Sequence, residues 1–340
     1  MADMITLTAE DQVTETTKVT TGYFTGDVGL LAGSNFTTSS LAAGEKKYYY
    51  NLQFSSEDQF SVAYGHIAGS GSQSGSTTNK VGQTEAIYRQ FASQLLFPDE
   101  INGGFIINNA TQSSVHFIVG ERARMKDRIN KKNWTLHLSG HDTTGTASAV
   151  VLTDDSEYSA STASPVGPRF NIISGSAGVG NASVKFGHFY PNMGTLVLST
   201  TKLSASIPGS GTLVEANTLG TLVKPGFAED TTTDAENALK MVKCIQNGTL
   251  TSFRSEEDQT SVMYFCRARA ANFNYSNNPT FTSGSDNGFR QRTMEGNPQT
   301  FITTVGLYDS EPSLVAVGKL STPVQKNYSS EAVIKAKLTY

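Results

Sequence analysis

Cysteine, tryptophan and charge are all scarce in this chain of 340 residues. Two cysteines, Cys244 and Cys266, cannot build a disulfide framework. They read as small buried apolar side chains, with a bond between them left open. Charged residues make up only 16%, far from the composition of a coiled coil. No stretch approaches the ~18 apolar residues that a spanning helix needs, so no membrane span is expected. The net charge of -4 and a pI near 5.8 argue against nucleic acid as a partner. The opening MADMITLTAEDQ lacks a basic stretch followed by an apolar one. No secretory signal is read there, and synthesis in the cytoplasm is expected. No internal repeat of about 20–50 residues is visible, which excludes solenoids and propellers.

Small and hydroxylated residues take up the difference. There are 31 Gly, and Ser plus Thr make up about 23%. That composition suits short strands and many turns. Phe60, Val62, Tyr64 and His66 alternate with small residues, the pattern of a half-buried strand. Val262 to Arg267 reads as a strand covered on both faces. Phe301–Tyr308 and Leu314–Lys319 flank Asp309–Ser313, which predicts a hairpin. Tyr190–Gly194 predicts a turn with Gly194 at positive φ.

Two segments carry helical spacing instead. Ile87, Tyr88, Phe91 and Leu95 make one stripe, stopped by Pro98. Ala238, Leu239, Val242 and Ile245 make another, preceded by a capping box at Thr233–Glu236. Gly248 reads as its left-handed cap. The expected fold class is mainly β, with antiparallel β-sandwich-type domains and two short amphipathic helices. Residues 1–140 and 249–340 would form a β-rich core with one helix at about 84–97. Residues 141–230 would be a middle β domain or insertion, and 231–248 the second helix.

No residue set points to catalysis, a cofactor or a metal. His137 and His141 lie four apart on a predicted strand, hence about 13 Å apart, too far to share an ion. Asp154-Asp155 and Glu256-Glu257-Asp258 could serve acid–base chemistry, but their contexts read as surface turns. Gly69–Gly75 lacks the Gly-Lys-Ser/Thr ending of a phosphate loop and reads as a hairpin tip. Arg122, Arg124, Lys126 and Arg128 alternate, so an extended chain would show them on one face. They are read as local ion pairs or as an interface for a protein partner. Asn274, Tyr275, Asn277 and Asn278 fall in a turn-prone run, read as a fixed loop or a docking segment.

Three segments near the end carry a resemblance: NFNYSNNPTF at 272–281, NPQTFITTVGLY at 297–308 and LVAVGKLSTPV at 314–324. They resemble baseplate and virion structural proteins of contractile-tailed bacteriophages, which close on a strand such as 332–338. KKYYY at 46–50, FSVAYGH at 60–66, residues 83–96, RARMKDR at 122–128 and NWTL at 133–136 resemble the first half of the same proteins. The longer form is that of myoviruses of cyanobacteria. The resemblance implies a non-enzymatic baseplate wedge subunit in the virion. Its partners would be other baseplate or tail proteins, with a homodimer as one option. The alternative is a tail-fibre or receptor-binding module that recognises a host-surface glycan.

Overall fold

The computed structural model describes residues 4–27, 31, 36–38, 49–71, 82–210, 214–216, 222–231, 236–276, 278–283 and 288–340. Two compact units emerge: Met1–Lys18 with Asp258–Tyr340, and Val19–Glu257. Residues 141–230 lie within the larger unit, and their strands as far as Ser199 join its sheet, while 215–216 and 222–223 pair only with each other.

In chain order the first strands are β1 (Gln12–Asp27), β2 (Phe36–Thr38), β3 (Tyr49–Phe54), β4 (Glu57–His66), β5 (Ile106–Ile107), β6 (Ala110–Thr111) and β7 (Ser114–Gly120). Then come β8 (Arg128–His141), β9 (Ala147–Asp154), β10 (Thr162–Ser164), β11 (Gly167–Ser176), β12 (Val179–Tyr190), β13 (Thr195–Ser199), β14 (Glu215–Ala216) and β15 (Leu222–Val223). The last are β16 (Leu250–Ala268), β17 (Thr282–Ser283), β18 (Gly288–Phe289), β19 (Thr300–Tyr308), β20 (Leu314–Lys326) and β21 (Ala332–Thr339). Three α-helices interrupt them among the described residues: α1 (Gln83–Leu95), α2 (Thr200–Ser206) and α3 (Asn237–Gln246). The fold is mainly β and antiparallel, as the composition implied. The third helix, α2, has seven residues and no apolar stripe to reveal it; Ser199 caps it by accepting the Lys202 N–H at 3.1 Å.

In the larger unit the strand path runs β16-β8-β9-β11-β12-β13-β7-β4-β3-β2. The path curls back on itself. Phe60 of β4 and Phe253 of β16 are seven places apart along it, yet their rings meet at 5.1 Å. Trp134 of β8 stacks on Phe253 at 5.4 Å and meets Phe189 of β12 at 5.2 Å. Phe24 and Tyr23 close on Phe60 at 5.4 Å each. The main core is therefore the space enclosed by one curled sheet, filled by aromatic side chains with large buried area.

Helix α3 packs on β3, β4 and β8 and is buried almost all round, well beyond its predicted stripe. Its capping box at Thr233–Glu236 lies largely outside the described residues. Gly248 is not left-handed. Asn247 ends the helix in right-handed geometry, and a Cβ on Gly248 would stand 2.1 Å from the His137 carbonyl oxygen. Glycine is needed there for close approach to β8, not for a turn.

Helix α1 covers the outer face of β4 and β7. Phe91 stacks on Phe117 at 4.0 Å, and Tyr88, Ala92 and Leu95 are buried beside Val115 and Val197. Gly65 makes room for it, since a Cβ there would meet the Tyr88 backbone at 3.1 Å. Strand β4 is thus buried on both faces, whereas Met263 to Cys266 are only half-buried. Both depart from the patterns read in the sequence. Alternation reports which residues are apolar, not which elements come to cover them. The predicted Tyr190–Gly194 turn is present, a 3-10 turn closed by Gly194 at φ 61°.

Replacing Gly248 with Ala should cost about 1–3 kcal/mol of stability, read as a lower urea midpoint. An unchanged midpoint would contradict the close approach to His137.

Candidate functional site

The basic strip does not form one face. Residues 122–124 form a turn, in which Met125 N–H reaches the Glu121 carbonyl at 3.3 Å. The side chains then diverge. Arg122 donates to the Asp127 carbonyl at 3.1 Å, Arg124 pairs with Glu57, Lys126 lies 3.8 Å from Glu257, and Arg128 donates to Glu256 at 2.7 Å. Local ion pairing, one of the two readings, is what the geometry contains.

The acidic clusters are not surface turns. Asp154 and Asp155 are fully buried, at 0% and 1% exposure. Asp154 accepts the Lys132 N–H at 2.9 Å and both the N–H and the hydroxyl of Ser156. Asp155 clamps Asn171 through its backbone N–H at 2.9 Å and its side-chain amide at 2.7 Å. Lys132 has φ 67°, so Asp154 holds a left-handed kink in β8. Donors from the backbone, from the Ser156 hydroxyl and from the Asn171 amide substitute for water around these carboxylates. Glu256 is likewise buried on Arg128.

A polar network lies under the strap 227–231. Glu229 accepts from Tyr64 at 2.6 Å and Ser114 at 3.3 Å, and His66 Nε2 stands 3.3 Å away. Two backbone N–H groups, of Ala68 and Ser70, donate to His66 Nδ1 at 3.1 Å each, so the proton sits on Nε2. His66 therefore cannot take a proton from Ser114 and the set is not a nucleophilic triad. His116 donates from Nε2 to the Asn237 carbonyl at 3.2 Å and accepts the Thr200 hydroxyl at 3.0 Å. Full burial lowers its pKa to about 4, and burial lowers that of His188 to about 3. Lys240 donates to the Ala228 carbonyl at 2.9 Å, and burial lowers its pKa too. Tyr64, Ser114 and His66 tie the strap to the sheet, His116 ties the first residues of α2 and α3 to β7, and Lys240 ties α3 to the strap. Among the described residues no group of three His, Cys, Asp or Glu could hold a metal. Cys244 is buried, Cys266 is half-buried, and both are free thiols.

The smaller unit has different chemistry. Among the described residues it holds only three of the 48 buried apolar residues, Val262, Ala268 and Ala332. It also holds twelve of the 21 large apolar side chains that are exposed. Strand β21 pairs with the end of β16 so that Leu338, Ala336 and Ile334 oppose Val262, Tyr264 and Cys266. The predicted hairpin is present as β19 and β20, with Tyr308 opposite Leu314 and the Asp309 carboxylate accepting the Glu311 and Ser313 N–H groups at 2.9 and 3.1 Å. Tyr264, Cys266, Ile334, Ile302 and Leu307 line a groove of about 670 Å³, with Met4–Leu7 along it.

Asn274 turns inward. It is buried, and its side-chain oxygen accepts the Lys326 ammonium at 2.9 Å, which also donates to the Ala270 and Asn327 carbonyls at 3.0 and 2.8 Å. Lys326 is itself fully buried. Fifty-two residues separate the pair, so no local signal announces it. Asn278 fixes a turn by accepting the Thr280 N–H at 3.1 Å. Tyr275 is exposed with its ring 5.7 Å from Phe281. Asn277 lies outside the described residues. The loop reading holds for Asn274 and Asn278; Tyr275 keeps a free surface.

Comparison with family models, curated proteins and solved structures finds no match.

Two outcomes follow. Lys326→Met strips the donor from three carbonyl oxygens, at a cost of about 1–3 kcal/mol, and amides of residues 270–274 should exchange faster with solvent. Unchanged exchange would show that the tether is dispensable. His116 is neutral when folded down to pH about 4, whereas its unfolded form gains a proton below pH 6.5. Stability it contributes is complete above 6.5 and is lost as pH falls toward 4, by about 3 kcal/mol. The urea midpoint should drop across that window more steeply in the wild type than in His116→Gln; equal slopes would contradict the assignment.

Proposed function

We propose that the chain is a structural subunit of a bacteriophage contractile-tail baseplate, a wedge component that acts through protein–protein contacts. The observation that carries this reading is the inverted distribution of apolar residues in the smaller unit: few buried, many exposed. The segments that resemble phage virion proteins, 272–281, 297–308, 314–324 and 332–338, all belong to that unit. Monomers seldom leave large contiguous apolar patches open unless they mark an interaction site. A hairpin that shows aliphatic side chains on β-strands suits docking between subunits. The larger unit supplies a filled core with its buried polar groups bonded internally, which suits a rigid support. In this reading the interfaces hold one baseplate state and rearrange when the tail engages a host.

Immunogold labelling of intact and contracted tails with antibody to this chain tests the reading. Gold at the distal plate in both states is the expected result. Gold on fibres, at the neck or absent from the particle would overturn it, and the fibre pattern would favour a glycan-binding module.

A further inference from the structure

The smaller unit carries a groove and a ridge of matching chemistry. Its groove holds about 670 Å³ between the apolar face of β16–β21 and the β19–β20 hairpin. A cavity of about 150 Å³ already accommodates benzene, so this one has room for several side chains. The ridge stands at the tip of the same hairpin. Tyr308, Leu314, Val315 and Val317 are 49%, 52%, 63% and 58% exposed. Tyr308 and Leu314 close over Gly306, whose Cβ would meet them at 3.0 and 3.3 Å. Leu314, Val315 and Val317 take no part in the groove, whereas Tyr308 borders both.

We propose that a second copy of this chain seats its hairpin tip in this groove, reciprocally, across a two-fold axis. Under two-fold symmetry the same patch serves both copies, so ridge meets groove twice. The four ridge side chains present on the order of 400 Å² per copy. Counting both ridges and the groove walls they cover, the contact clears the roughly 1,000 Å² that a specific interface needs. Tyr308 places the ridge at the mouth of its own groove, which makes mutual insertion the economical arrangement. Charge is available to match: Glu311 stands at the tip, while Arg267 lines the groove. The pairing rests on the smaller unit alone and stands whether or not the chain belongs to a baseplate.

Sedimentation equilibrium on the full chain tests it. The wild type should have the mass of a dimer. Val315→Lys with Val317→Lys changes two exposed positions, so the fold should persist, with an unchanged circular dichroism spectrum, while self-association weakens at least about 100-fold. Thr304→Arg, at an exposed position on the groove wall, should do the same. Mixing the two variants should give a 1:1 heterodimer, weaker than the wild-type dimer but tighter than either variant's own, because one of its two ridge–groove contacts is intact. A wild type that stays monomeric at millimolar concentration would overturn the proposal. So would a dimer indifferent to the paired lysines, or a mixture without heterodimers. A dimer that assembles this way but never labels the tail would leave the pairing intact and remove the baseplate reading.

Discussion

The larger unit depends on the meeting of Phe60 and Phe253. These rings belong to strands far apart in the sheet, and they touch because the sheet curls until its two ends face each other. Trp134 extends the stack on one side, and Tyr23 and Phe24 seal the other. Aromatic rings suit this role because each removes a large apolar area from water within a small span of chain. Once the interior is closed, α3 can bury nearly every residue, and glycines at 65 and 248 become the points where helices or turns reach the backbone of a strand.

Closure also sets the fate of the polar groups. Asp154, Asp155 and His116 are inside, so each needs an internal partner. Asp154 and Asp155 find donors on Lys132 of β8, Ser156 and Asn171 of β11, and His116 finds the Asn237 carbonyl of α3 and the Thr200 hydroxyl of α2. In the smaller unit the same role falls to Lys326, which gathers three carbonyl oxygens around its ammonium. There many large apolar side chains remain outside.

Local features were legible in the residues. The hairpin at 301–319, the turn at 190–194, the stripe of α1 and its stop before Pro98 all depend on neighbours within a few positions. Elements whose environment comes from far away were not. The β4 strand reads as half-buried because nothing in its alternation reveals that α1 will cover its second face. The acidic pair at 154–155 reads as a surface turn because turn-forming residues look alike whether water or another strand supplies their partners. The basic strip at 122–128 failed as a single face because Arg122–Arg124 turns instead of extending. Asn274 gave no sign of Lys326, and the exposed ridge at 314–317 read as ordinary strand.

By itself the sequence determined the class of the fold, mainly β and antiparallel, because period-two patterns and turn residues act over distances of a few residues. Tertiary structure alone decided which faces were covered, which carboxylates lost water, and that the apolar residues of the smaller unit stay exposed. Burial is set by contacts between segments well separated along the chain, and those contacts exist only once the sheet has closed.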